Sequence, residues 1–277
     1  MFTPPDNLAH TVQIALAEDL GPGDITAELL PESKEITAII ECREAAVVCG
    51  IPWVNEVYAQ LDSKLVIEWS INEGDRVKPS TTLALIKGPA RAILSGERTA
   101  LNFLQTLSAT ATQTNQLVNL VSATTATLLD TRKTIPGLRT AQKYAVRVGG
   151  GTNHRQGLFD AYLIKENHIS ACGGIVAAIT NARNLHPDKT LEVEVKDLEE
   201  LKQALEAHPD IVMLDNFSLE NIEQAVSLNS GPCKLEASGG INAETLVNIA
   251  ETGVDYISVG SLTKNCQAID LSLLVQD

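Results

Sequence analysis

The side chains best suited to chemistry lie between Arg132 and Lys165. That stretch holds Arg132, Lys133, Arg139, Lys143, Arg147, Arg155 and Lys165 against the single acid Asp160, in a chain of 277 residues with 21 basic and 35 acidic side chains. Within it, Gly149-Gly150-Gly151-Thr152-Asn153-His154-Arg155 precedes the apolar run 161–164 and then Lys165-Glu166-Asn167-His168. Consecutive glycines weaken a helix or strand interior, so they belong in a loop where backbone comes close to something or takes a positive φ. That loop presents His154 and Arg155. The apolar run has the length of a strand buried on both faces of a parallel sheet, and Lys165 sits where it ends. A cationic spot in a chain of formal net charge -14 focuses small anions, and planar guanidinium groups suit carboxylates in particular.

A repeated strand and helix positions these residues. Residues 126–129 lead into Asp130-Thr131-Arg132-Lys133, 161–164 into Lys165, 191–193 into Glu194, 211–214 into Asp215-Asn216, 235–237 into Ser238-Gly239-Gly240, and 256–259 into Gly260-Ser261. Helical segments over 198–207, 219–228 and 243–252 separate the later runs. Strands joined by right-handed helical crossovers make a parallel sheet, here expected to close as a barrel resembling a TIM barrel with fewer strands than eight. The polar residues at the strand ends then converge on one rim, where such barrels build their sites. Ser238-Gly239-Gly240, ahead of a helix beginning near Asn242, and Ser258-Val259-Gly260-Ser261 offer glycine amides and helix N-termini suited to a phosphate.

The preceding chain reads differently. A helix over 6–19 stops at Gly21-Pro22-Gly23, strands are expected over 36–49, 65–71 and 83–86, and a helix over 53–61. Glu73-Gly74-Asp75-Arg76-Val77 reads as a turn like those of biotin and lipoate carriers, but no Met-Lys or Asp-Lys acceptor follows it. Residues 90–122 form one long helix or two joined near Ser108, which places a domain boundary there: 1–108, then 109–277 with a C-terminal tail packing back on the first domain. Aromatic residues are only 4% of the chain, and together with the negative charge this argues against a nucleic-acid partner. The cysteines Cys42, Cys49, Cys172, Cys233 and Cys266 lack metal-ligand spacing and read as reduced thiols. No apolar run approaches the roughly 18 residues of a membrane span, so no membrane role and a cytoplasmic location are expected.

Taken together, Glu18 to Thr26, Gly96 to Asn102, Asp130 to Gly137, Gly149 to Arg155, Leu163 to His168, Glu192 to Val195, Leu214 to Phe217 and Glu236 to Gly240 resemble the motifs of quinolinate phosphoribosyltransferases over nearly the whole chain. Glu166 stands where that family usually has Asp, Ala109 where Gly is common, and Val148 where Cys is expected. The resemblance implies a type II phosphoribosyltransferase, an N-terminal α/β sandwich with an α/β barrel of about seven strands. It would transfer the phosphoribosyl group of phosphoribosyl pyrophosphate to quinolinate with decarboxylation, giving nicotinate mononucleotide, pyrophosphate and CO2 for NAD synthesis, and work as a homodimer or a larger assembly of dimers.

On this reading Arg132, His154, Arg155 and Lys165 hold the dicarboxylate, and Glu194 and Asp215 face the ribosyl cation and a Mg2+ ion that accompanies the pyrophosphate. Ser238, Gly239, Gly240, Ser258, Gly260 and Ser261 surround the 5'-phosphate. Lys133 and His168 neutralise the pyrophosphate or hold the carboxylates in register, with Thr131 beside them. Lys133, Lys165, Glu194 and Asp215 carry the catalysis, and Arg98 reaches the pocket of the neighbouring subunit. A Schiff-base aldolase built on Lys165, a nicotinate phosphoribosyltransferase, or a sensor of anionic metabolites would use many of the same residues.

Overall fold

The computed structural model describes residues 2–276. The chain forms two compact units: Met1–Asn115 with Thr134–Gly150 and Thr263–Asp277, and Gln116–Lys133 with Gly151–Leu262. Neither unit is continuous in sequence. The helix Ala90–Leu120 runs unbroken through residue 108. Ser108 does not break it, because its hydroxyl turns sideways to bond both the amide and the carbonyl of Cys49.

In the first unit, α1 (Leu8–Leu20), β1 (Glu35–Cys42), β2 (Ala46–Val47), α2 (Ile51–Leu61), β3 (Val66–Trp69), β4 (Arg76–Val77), β5 (Thr81–Pro89) and α3 (Ala90–Leu120) follow in order. A four-stranded sheet runs β12-β1-β5-β3, in which β12 (Leu271–Gln276) pairs antiparallel with β1. The strand expected over 36–49 is broken. Asp270 bonds Arg43 and Glu44 on the way, and Ala46–Val47 joins β4 in a separate pair. The turn at residues 73–77 caps a helix, since both oxygens of Glu73 accept the amides of Gly50 and Ile51 at the start of α2. Trp53, Tyr58, Leu101 and Leu104 form the buried centre. Helix α4 (Arg139–Val148) is anchored by Gln142, which accepts from the Ile135 amide and donates to the Thr263 carbonyl.

The second unit holds β6 (Thr127–Leu129), β7 (Tyr162–Ile164), α5 (Glu166–Cys172), α6 (Ile175–Leu185), β8 (Leu191–Val195), α7 (Leu198–Glu206), β9 (Ile211–Asp215), α8 (Leu219–Leu228), β10 (Lys234–Ser238), α9 (Ala243–Glu251) and β11 (Tyr256–Ser258); a short α10 is Ser261–Lys264. The strands make one parallel sheet, β6-β11-β10-β9-β8-β7, among the described residues. Thr152 adds a single parallel bridge to Leu129 at its β6 edge, so the seventh strand position is held by one residue and not by a full strand. Side-chain alternation turns Glu192 and Glu194, Met213 and Asp215, Glu236 and Ser238, and Ser258 to one face, while Val193, Val212, Leu235 and Ile257 are buried on the other. Residues at or just beyond the ends of all six strands line one cavity, so the sheet curls into a barrel around that face.

The candidate active site

The cavity encloses about 330 Å³ at the C-terminal ends of the strands. Thr131, Arg132 and Lys133 follow β6, His154 and Arg155 come from the glycine loop, Lys165 follows β7, and Glu194, Asp215, Ser238 and Ser258 stand at the ends of β8 to β11. Leu163 and Met213 supply apolar wall. A larger cavity of about 450 Å³ lies in the first unit between α1 and α3, lined by Ile14, Phe103 and Leu107 with no lysine or arginine, so it lacks the charge an anion needs.

Each wall of the cationic cavity has a local cause. The glycine run meets both of its expected reasons: a side chain at 149 would strike the Ala111 carbonyl and Thr114 on α3, and Gly150 has φ +95°. Beyond it the loop is pinned and not free to move. Buried Asp130 accepts from the Asn153 side chain at 2.6 Å and the His154 amide at 2.9 Å, and Asp160 takes the amides of Gln156 and Gly157 at 2.6 and 2.9 Å. The Arg155 amide in turn donates to His154 Nδ1 at 2.8 Å.

The electrostatics of the cavity favour an anion. Burial, and next the charge of Arg132, lower the Arg155 pKa, while Glu192 and Asp160 act in the opposite sense. Arg155 Nε is buried without a hydrogen-bond partner. Two guanidinium groups held close enough to repel are costly in the empty pocket, and a bound carboxylate removes that cost. Lys165 is ion-paired with Glu194. Asp215 gives one oxygen to the Asn216 side chain at 2.9 Å, and Asn216 holds φ +55° at the strand end. Gly239, φ +101°, leaves no room for a Cβ because the Asn216 amide fills that space. Gly260 packs on the stem of Lys133, where a Cβ would come to 3.1 Å from Cδ.

Other expected residues stand beside the cavity or outside its lining. Arg98 is on α3 of the first unit, more than half exposed, with Glu97 at 3.9 Å. His168 uses Nδ1 to accept the Lys165 amide at 3.0 Å, capping α5. Gly239, Gly240, Gly260 and Ser261 are not among the residues lining the cavity. In the first turn of α9 the amides of Glu244 and Thr245 are taken by Asn242 at 2.9 and 3.1 Å. Of the seven basic residues in the sequence cluster, Arg132, Lys133, Arg155 and Lys165 line the cavity, whereas Arg139, Lys143 and Arg147 lie on α4 in the first unit.

Three residues outside the expected set matter here: Asp130, Glu192 and Glu236. His154 Nε2 lies 2.8 Å from Glu192 Oε2 and 3.5 Å from Glu236 Oε2, with both glutamates buried. A legible signal was available. Glu192 is two residues before Glu194, and Glu236 two before Ser238, so strand alternation puts each on the same inner face as its partner.

A parallel barrel with its cations gathered at the strand C-termini defines an enzyme for small anionic substrates. The comparisons with known proteins narrow this class. Residues 24–108 match the description "Quinolinate phosphoribosyl transferase, N-terminal domain" and residues 110–274 match "Quinolinate phosphoribosyl transferase, C-terminal domain". The chain belongs to the quinolinate phosphoribosyltransferase family. It is 39% identical over 293 residues to quinolinate phosphoribosyltransferase [decarboxylating] 1b of Nicotiana tabacum, covering 98% of this chain and 83% of that one. It is also 39% identical over 257 residues to a probable nicotinate-nucleotide pyrophosphorylase [carboxylating] of Bacillus subtilis, covering 92% and 89%. The solved nicotinate-nucleotide pyrophosphorylase of Francisella tularensis superposes with a TM-score of 0.96 at 54% identity, over 99% of this chain and 98% of that one.

Proposed function

We propose that this chain transfers the phosphoribosyl group of phosphoribosyl pyrophosphate to the ring nitrogen of quinolinate, with loss of CO2, giving nicotinate mononucleotide and pyrophosphate. The observation that carries the reading is the crowding of Arg132, Lys133, Arg155 and Lys165 into one cavity beside Glu194 and Asp215. A pyridine dicarboxylate brings two negative charges on adjacent ring carbons, a match for forked, repelling guanidinium groups. Leu163 and Met213, which line the same cavity, offer apolar wall to the ring itself.

The chain's own groups then account for each step. Leaving of pyrophosphate builds positive charge at ribose C1, which the carboxylates of Glu194 and Asp215 stabilise from the strand ends. Lys133 meets the departing pyrophosphate. Once the ring nitrogen is alkylated it is cationic; the adjacent carboxylate leaves as CO2, the C–C electron pair stays on the ring carbon beside that positive nitrogen, and a proton from water then occupies the position. Lys165, paired to Glu194, keeps the second carboxylate in register. Magnesium would come with phosphoribosyl pyrophosphate, and the carboxylates of Glu194 and Asp215 at the strand ends would supply the negative charge that faces it.

The finer parts of the reading are a homodimer in which Arg98 serves the partner's pocket and a cytoplasmic location. The exposure and weak pairing of Arg98 leave it available to a second subunit. No helix among the described residues is long and apolar enough to cross a membrane. The test is pyrophosphate release from phosphoribosyl pyrophosphate in the presence of quinolinate and, separately, nicotinate. Turnover of quinolinate alone is expected; equal turnover of nicotinate would refute the dicarboxylate assignment.

A further inference from the structure

The structure assigns Glu192 and Glu236 a positioning role: we infer that they share one proton inside the barrel and hold His154 as a neutral Nε2–H imidazole, so that its Nδ1 fixes the Arg155 backbone beneath the quinolinate pocket. The inference rests on the reading proposed above for the substrate and on geometry for the rest. His154 Nδ1 accepts the Arg155 amide at 2.8 Å, so the ring proton is on Nε2, the nitrogen that faces the carboxylates at 2.8 and 3.5 Å. A cationic imidazole would need a proton on Nδ1, where it would collide with that amide hydrogen. His154 is therefore not one of the cations of the pocket but the strut that places one of them.

The carboxylate pair needs a proton for its own reasons. Glu236 is fully buried and neither of its oxygens has a well-aligned hydrogen-bond partner; Glu192 Oε1 is in the same state. Burial, and next the charge of Glu192, push the Glu236 carboxyl up to about 8, with His154 and then Ser258 acting the other way. The groups facing it are Glu192 from β8, His154 from the loop, Tyr256 and Ser258 from β11, and Met213 from β9, with Arg155 acting on Glu192 from above. No cation stands directly against Glu236 in this set. A divalent ion could quiet the same oxygens, but the charge of Arg155 on Glu192 opposes one. One proton leaves the cluster a single negative charge, which faces Nε2 at 2.8 Å and acts on Arg155. When pH rises past about 8 that proton goes to solvent and a second buried charge forms, while the imidazole stays neutral and Nδ1 keeps the Arg155 amide. The added negative charge behind Arg155 makes the pocket less attractive to a dianion.

The first arm reads His154 directly, in the free protein, by long-range proton–nitrogen NMR with histidine labelling and His154→Gln for assignment. A neutral Nε2–H ring from pH 6 to about 8 is expected, retained in Glu236→Gln and converted to mixed tautomers in Glu192→Gln. The second arm follows KM against pH. Wild type should lose quinolinate affinity above about pH 8 by roughly tenfold while KM for phosphoribosyl pyrophosphate stays level, and Glu236→Gln, which keeps a neutral hydrogen-bonding group, should flatten that rise and bind far better than Glu236→Ala. An imidazolium at His154 near neutral pH, a Glu236→Gln profile that overlays wild type, or a stoichiometric divalent ion that disappears in Glu236→Gln would each overturn the inference. Failure of quinolinate turnover would count against the proposed reaction and leave the NMR arm intact.

Discussion

At the scale of single residues, Arg155 joins substrate affinity to the loop beneath it. Its guanidinium is partly buried and feels the charge of Arg132, so removing it would leave a bound carboxylate without its charged partner. Arg155→Ala is expected to lower kcat/KM for quinolinate by about 2–4 kcal/mol, roughly 30- to 900-fold, in steady-state kinetics. Glu194→Gln should act differently. Its charge matters most when the ribosyl cation forms, so kcat should fall more than KM rises; a pure KM effect would reassign it to ground-state binding. Glu236 carries a stability signature as well. Its folded pKa of about 8 lies above the ordinary 4.5, so the stability it contributes is complete below about pH 4.5 and is lost as pH rises through 8. Wild type should therefore lose unfolding stability between pH 5 and about 8 relative to Glu236→Gln, measured as denaturant midpoints. The cations at strand ends were legible from spacing alone. The acids below them were not singled out, because a glutamate inside a buried strand reads as part of the strand until alternation is followed inward.

At the scale of elements, strand ends do the positioning and glycines decide how near they come. Gly239 needs both a positive φ and the absence of a Cβ, because Asn216, next to Asp215, occupies the space. Gly239→Ala should displace Asn216 and with it Asp215, costing about 1–3 kcal/mol of stability and at least tenfold in kcat, read by thermal unfolding and kinetics; retention of both would mean the β9 and β10 ends are independent. Six strand positions were readable in sequence because each short apolar run ends in a polar or glycine residue. The seventh was not, since Thr152 contributes a single bridge and leaves no apolar run to detect. The break after Cys42 falls at exposed Arg43-Glu44-Ala45, beyond which Ala46–Val47 pairs with β4 while β1 pairs with β5. At the N-terminus of α9, Asn242 is a good cap by type and takes the Glu244 and Thr245 amides, so a phosphate at these strand ends would rest on the Ser238-Gly239-Gly240 loop before the helix.

At the scale of the whole molecule, the units do not follow the order of the chain. Residues 134–150 and 263–277 return to the first unit, so neither unit could be excised as one segment. Long-range pairing such as β1 with β12 is invisible to local periodicity, although a C-terminal tail packing back on the first domain was expected. Subunit sharing is the prediction that belongs here. Arg98→Ala and Lys165→Ala should each be nearly inactive as homodimers, while subunit exchange between them should restore activity toward about one quarter of wild type, since about half of random dimers are mixed and half of their sites are whole. Exchange verified by mass without recovery would return Arg98 to its own subunit's surface. The central claim is that paired cations hold two adjacent carboxylates while one of them departs. It is tested most directly by following 14CO2 from quinolinate labelled in the carboxyl next to the ring nitrogen, together with pyrophosphate, in one reaction. The account predicts one CO2 for each pyrophosphate, both falling together in Arg155→Ala; pyrophosphate released without CO2, or at wild-type rate in that variant, would contradict it.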